Sequence, residues 1–185
     1  VISSSCDEVN HSGDQFFGFA LKYNRVDYRK VCRRYGKMPL VRICKDCGQK
    51  NRIPARHLAD TGRCGACKAP LPPADEPLEV DPELFNEIVQ NARVPVLVDF
   101  WAAWCGPCLR AAPEVARTAA DMAGHAVVVK VDTERYPELA ARFNVRGIPN
   151  FVVLYGGRLM VQQAGLVDHT QMEGWLRSAS PASAI

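Results

Sequence analysis

The chain has 185 residues, 48% of them hydrophobic and 23% charged, with a formal net charge of +3 and eight cysteines. That length allows one substantial core with a small appendage, and no apolar run approaches the ~20 residues of a membrane-spanning helix, so a soluble protein without a membrane partner is expected. Charge divides the chain: 14 basic against 6 acidic residues give +8 over residues 1–74, and 9 against 14 give −5 over residues 75–185.

Residues 1–37 show no sustained hydrophobic period and end in the basic run YRKVCRRYGK, which is expected to be a solvated, disordered extension. Its apolar patch at 16–21 is too short for a signal sequence and follows acidic residues instead of basic ones, so a cytoplasmic location is expected. Cys6 and Cys32 belong to no motif there and read as free thiols.

Residues 38–71 carry Cys44, Cys47, Cys64 and Cys67 as C-x2-C-x16-C-x2-C. This spacing suits a four-cysteine zinc site, closed and structural, with one ion per chain. Gly48 and Gly65 are expected to permit the tight turns, and so small a segment would draw most of its stability from the metal. Two disulfides are the rival reading, which fits a reducing compartment poorly. His57 reads as a loop residue. Residues 72–77 are proline-rich and read as a semi-rigid linker between domains.

From residue 78 the pattern alternates strands and helices. A short edge strand at 78–80 precedes a helix capped by Asp81 with Pro82 at its first position, presenting Leu84, Phe85, Ile88 and Val89 on one face. A buried strand covers 94–100. A helix runs from Gly106 to about residue 123, kinked at Pro113. A strand at 126–131, a short helix at 137–143, a hairpin of strands 150–155 and 158–163 and a final helix from Asp168 through Trp175 complete the order βαβαβαββα. Trp101 and Trp175 are expected in the core, and residues 179–185 as a tail.

Chemistry concentrates just past the 94–100 strand. Cys105 opens a helix whose unpaired N–H groups and dipole favour thiolate over thiol, which makes it the nucleophile. Cys108, one turn on, can attack a mixed disulfide at Cys105 and release the partner reduced. Asp99 interrupts an apolar strand. It is either a buried acid with a raised pKa or a solvated edge carboxylate.

The segment FWAAWCGPC at 100–108 resembles the active site of the thioredoxins, and the likeness runs from about Leu78 to Arg177 through Asp99, Lys130, Gly147-Ile148-Pro149, Gly157 and Gly165. With CxxCxxxNRIP at 44–54, the chain resembles the bacterial thioredoxin 2 group. The resemblance implies a thioredoxin fold, an α/β sandwich of mixed sheet and helices, preceded by a small zinc ribbon. It implies reduction of disulfides in cytoplasmic proteins, with electrons from NADPH through a flavoprotein thioredoxin reductase and no organic cofactor in this chain. Asp99 would assist deprotonation of Cys108. Lys130 would lie near that carboxylate, although its position alone fits a surface lysine equally. Pro149 would follow a cis bond and leave the Ile148 backbone free for an extended substrate, while Trp104, Gly106, Pro107, Gly147 and Gly165 would surround Cys105. A monomer is expected. The alternative, a zinc-ribbon module that binds nucleic acid or protein on an inert scaffold, is disfavoured because residues 44–71 offer no aromatic side chain for a base to stack on.

Overall fold

A computed structural model describes residues 40–180. Residues 1–39, Cys6 and Cys32 included, therefore lie outside the described residues, as do 181–185. No helix among the described residues is long and apolar enough to cross a membrane.

Two small hairpins form the front of the structure. β1 (Leu40–Ile43) pairs antiparallel with β2 (Lys50–Ile53), and β3 (Gly62–Arg63) with β4 (Pro70–Leu71), with a 3₁₀ turn at Ala55–His57 between them. The larger unit contains β5 (Leu78–Glu79), α1 (Pro82–Asn91), β6 (Val96–Trp101), α2 (Gly106–Asp121), β7 (Val127–Asp132), α3 (Pro137–Arg142), β8 (Asn150–Tyr155), β9 (Arg158–Ala164) and α4 (His169–Ala179). Its mixed sheet has the order β5-β7-β6-β8-β9, with β5, β7 and β6 parallel and β8 and β9 antiparallel.

Alternation along the strands gives the sheet two apolar faces. Val96, Val98 and Phe100 of β6 join Val127, Val129 and Val131 of β7 beneath Phe85, Ile88 and Val89 of α1 and Leu139 of α3. On the other face, Leu97, Val128, Phe151 and Val153 meet Ala111, Val115 and Ala119 of α2 and Met172, Leu176 and Ala179 of α4. The two helices on this face are also tied by Glu114, whose Oε2 lies 2.6 Å from His169 Nδ1 and accepts from the His169 amide at 2.9 Å. Asp81 accepts from the Leu84 amide and Asp168 from the Gln171 amide, each capping its helix as the sequence suggests.

Several details differ from the sequence reading. Helix α2 contains Pro113 and ends at Asp121, where the chain turns through Gly124 at φ +86°. Helix α4 continues four residues past Trp175, because Leu176 and Ala179 extend its buried stripe; Ala179 is thus helix and not tail. Trp101 and Trp175 are half-buried.

The largest difference concerns the proline-rich stretch. Beyond the semi-rigid spacer expected, it is pinned to the ribbon: the Arg42 guanidinium donates to the Pro72 carbonyl and, at 2.8 Å, to that of Leu58, while the Ala74 amide donates to Leu58 O at 2.9 Å. The 3₁₀ turn lies against α1. Cys44, Ile53, Ala55, Leu58, Cys64 and Leu71 of the ribbon belong to the same buried cluster as Val80, Phe85 and Ile88. A side chain at Gly124, just past the far end of α2, would meet the Ala59 carbonyl at 3.6 Å and Pro73 Cγ at 3.7 Å. The ribbon is therefore docked at the end of α2 opposite Cys105, about 24 Å away for a helix of this length.

Candidate active site and metal centre

Cys105 caps α2, and its Sγ accepts from the Cys108 amide at 3.2 Å. The two cysteines form a disulfide and both are buried. Cys105 Sγ lies 3.7 Å from the Ile148 carbonyl oxygen. Sulfur in a disulfide has no proton to give, so this contact becomes a hydrogen bond only when Cys105 is reduced to the thiol. Ile148 O thus faces the Cys105–Cys108 pair. The Ile148–Pro149 peptide is cis, and Pro149 is buried while its carbonyl accepts from the Gly165 amide at 2.9 Å.

Around this pair Trp104 is 69% exposed, and Gly106, Pro107, Gly147 and Gly165 are all at the surface. Sequence reasoning missed Leu166, 54% exposed beside Gly165. Its only signal was a large apolar residue in the loop leading to the Asp168 cap. Two exposed large apolar side chains, Trp104 and Leu166, suit contact with an apolar partner surface.

Asp99 lies in the middle of β6, paired in register with Lys130 on β7 and Phe151 on β8. It shares the α2 face of the sheet with Leu97, and it is 2% exposed. Its Oδ1 is buried with no hydrogen-bond partner among the described residues. Burial pushes the carboxyl up to about 7, with Lys130 pulling in the opposite direction. Of the two sequence readings the buried acid is the one observed. Lys130 is half-buried, with Nζ 3.9 Å from the Trp101 ring centroid.

In the ribbon, each CxxC pair sits in a matching turn. Cys44 N donates to Gln49 O and Gly48 N to Cys44 O; Cys64 N donates to Ala69 O and Lys68 N to Cys64 O. Gly48 takes φ +71° in the first turn, as expected, but the equivalent position in the second is Lys68 at φ +65°, and Gly65 has no such role. Asn51, visible in the sequence only as a motif letter, joins the two turns: its Oδ1 accepts from Gly65 N at 2.8 Å and its Nδ2 lies 3.6 Å from Cys64 Sγ. Replacing Gly48 with Val is expected to cost about 1–2 kcal/mol of ribbon stability, seen as earlier loss of metal in chelator competition.

All four sulfurs lie within 4.8 Å of one another, with Cys44–Cys67 and Cys47–Cys64 at 3.6 Å. A tetrahedron with Zn–S of about 2.3 Å needs sulfurs about 3.8 Å apart. The residues present therefore fit a closed four-thiolate metal site.

The model of the thioredoxin family matches residues 76–178, and a second family model, described as Thioredoxin 2, N-terminal, matches residues 43–69. Thioredoxin C-3 of Corynebacterium nephridii is 38% identical over 137 residues, covering 74% of this chain and 93% of the relative. Thioredoxin 2 of Chlorobaculum tepidum is 34% identical over 47% of this chain and 80% of its own length. A solved thioredoxin from Halobacterium salinarum superposes with a TM-score of 0.53 at 33% identity, covering 58% of this chain and 94% of that one. A likeness that spans nearly the whole of a relative, and a cysteine pair at the cap of the helix that follows the central strand, agree on one placement: the chain belongs to the thioredoxin family and is a protein disulfide reductase, a thiol-disulfide oxidoreductase.

Proposed function

We propose that Cys105 is the attacking thiol, Cys108 the resolving thiol and Asp99 the group that takes the proton from Cys108, in a reductase that acts on cytoplasmic proteins. The observation that carries this is the Cys108 amide aimed at Cys105 Sγ from the first turn of α2. That donor and the helix dipole stabilise negative charge on Cys105 and not on Cys108.

In the forward direction the Cys105 thiolate attacks one sulfur of a substrate disulfide, forming the Cys105–substrate bond and releasing the other sulfur as thiolate. Cys108 then gives its proton to Asp99 and attacks Cys105 Sγ; the Cys105–Cys108 bond forms, the Cys105–substrate bond breaks, and the substrate leaves as a second thiolate. Two electrons pass from dithiol to substrate. A carboxyl held near 7 can accept the proton and return it to the leaving thiolate. Trp104, Gly147, Gly165 and Leu166 receive the substrate chain beside the cysteines, with Gly106 and Pro107 forming the start of the helix beneath it. The restoring electrons come from an NADPH-dependent flavoprotein thioredoxin reductase.

Cys44, Cys47, Cys64 and Cys67 hold one zinc ion per chain, which supplies structural crosslinking to residues 38–71 and takes no part in electron transfer. Residues 72–77 then join this ribbon to the catalytic unit at 78–178, and the protein acts as a monomer.

The test is trapping. Cys108→Ser is expected to accumulate mixed disulfides with substrate proteins, because attack survives and resolution is lost, while Cys105→Ser forms none. Normal turnover by Cys108→Ser in insulin reduction would show the roles to be wrong.

A further inference from the structure

Lys130 stands in the middle of a row that crosses three parallel strands: Glu79 on β5, Lys130 on β7 and Asp99 on β6 are register partners in turn. Neighbouring strands are about 4.8 Å apart, so the lysine has a carboxylate on each side within reach of its side chain. The two carboxylates are unlike. Glu79 is exposed and Asp99 is buried with an unpartnered oxygen.

The ammonium is on neither of them. It rests 3.9 Å from the centroid of Trp101, which lies two residues beyond Asp99 on the same strand and face. Trp101 also packs against the cluster formed by Ala102, Cys105 and Cys108. Its Nε1 is buried without a hydrogen-bond partner among the described residues, so packing, not a polar tether, fixes this ring beside the dithiol. Lys130 and Trp101 together line a cleft of about 270 Å³. The charged and titratable groups that face Lys130 there are Glu79 of β5, Asp81 just after it, Asp132 of β7, and Arg135 and Tyr136 of the turn into α3, with Asp99 of β6 behind.

We propose that Trp101 and Glu79 are positioning residues for Lys130, drawing its ammonium inward and outward along this row and so governing proton transfer between Cys108 and Asp99. The proposal rests on the role given above to Asp99. The aromatic face attracts the cation toward the buried end of the cleft, where it stabilises the Asp99 carboxylate. The exposed carboxylate of Glu79 attracts the same cation toward solvent and adds its own negative charge to the row. Removing the ring lets Lys130 leave for water, and Asp99 becomes harder to ionise. Removing the Glu79 charge acts in the opposite sense by both routes. The two residues should therefore shift the Asp99 titration in opposite directions, which is not what two generic packing defects would do.

The experiment follows the Asp99 titration by carboxyl-carbon NMR of the full chain, alongside the pH dependence of single-turnover reduction of a disulfide peptide. Glu79→Gln is expected to lower the midpoint by about half a unit, and Trp101→Leu to raise it by about as much, with Trp101→Phe close to the parent because a ring face is kept. In a Lys130→Met background both shifts should fall to less than half their size. Glu79 is exposed on a strand, so the Glu79→Gln shift decides the matter even where Trp101→Leu does not fold. Shifts of the same sign, or shifts undiminished without Lys130, would overturn the positioning. An Asp99→Asn variant with an unchanged pH profile would instead overturn the proton-acceptor role on which the proposal rests.

Discussion

Removing the metal with a strong chelator is expected to lower the melting temperature of the whole protein by about 10 °C while leaving insulin reduction at room temperature unchanged. The reason is the shared core. Leu58 is 1% exposed and Leu71 4% exposed, and both sit in one buried cluster with Phe85, Ile88 and Val89 of α1. A ribbon whose strands are two to four residues long cannot hold this arrangement without its crosslink, since metal binding in such modules is most of the folding free energy. When the ribbon opens, the face of α1 loses its cover. Re-exposing one or two large apolar side chains costs about 3 kcal/mol, which is about 10 °C for a chain of this size. The dithiol is at the far end of α2, so its chemistry should not sense the change until α1 begins to open.

Scanning calorimetry with and without chelator, with metal content read by native mass spectrometry, checks this. Leu58→Gln offers an independent arm: Leu58 is not one of the four sulfur ligands, so the variant should keep the metal and still lower the melting temperature. An unchanged transition after complete metal loss would mean that ribbon and catalytic unit are thermally independent, as a free proline-rich spacer would make them.

The catalytic half could be read closely from the sequence because its signals are local. Val96, Leu97 and Val98 announce a buried strand, Asp81-Pro82 and Asp168 announce helix starts, and the spacing of the two ribbon CxxC pairs dictates a common point for four sulfurs. What escaped depends on contacts between distant segments. Nothing near Leu58 marks it as a core residue of a helix some 30 positions on, and nothing in Pro72 says that its carbonyl will be held by Arg42. Lys68 at positive φ escaped because glycine is the usual sign of that conformation, and Gly65 stood close by as a decoy. The placement of Lys130 over Trp101 could not be read either, since strand order, not sequence order, brings β5, β7 and β6 together.

Asp99→Asn is expected to stabilise the oxidised protein by up to about 4 kcal/mol above pH 7, and to do so in a pH-dependent way that identifies the cause. Burial raises the Asp99 carboxyl from its ordinary value near 3.8 to about 7, against the opposing pull of Lys130. Between those values the folded chain binds a proton that the unfolded chain does not. Its stability is therefore greatest below the unfolded value, declines as pH rises through the interval, and carries the full penalty above 7. A shift of about three units corresponds to about 4 kcal/mol. The carboxamide is neutral throughout and escapes that penalty, though its buried amide also lacks partners, so the gain approaches this figure from below. Denaturant unfolding from about pH 3 to pH 8 should show the parent losing stability relative to the variant as pH rises, with the two curves becoming parallel below the unfolded value of 3.8. Curves parallel over the whole range would mean that Asp99 titrates as an ordinary carboxylate. Disulfide reduction should fall in the same variant, because the destabilising carboxyl is also the proton acceptor proposed for Cys108.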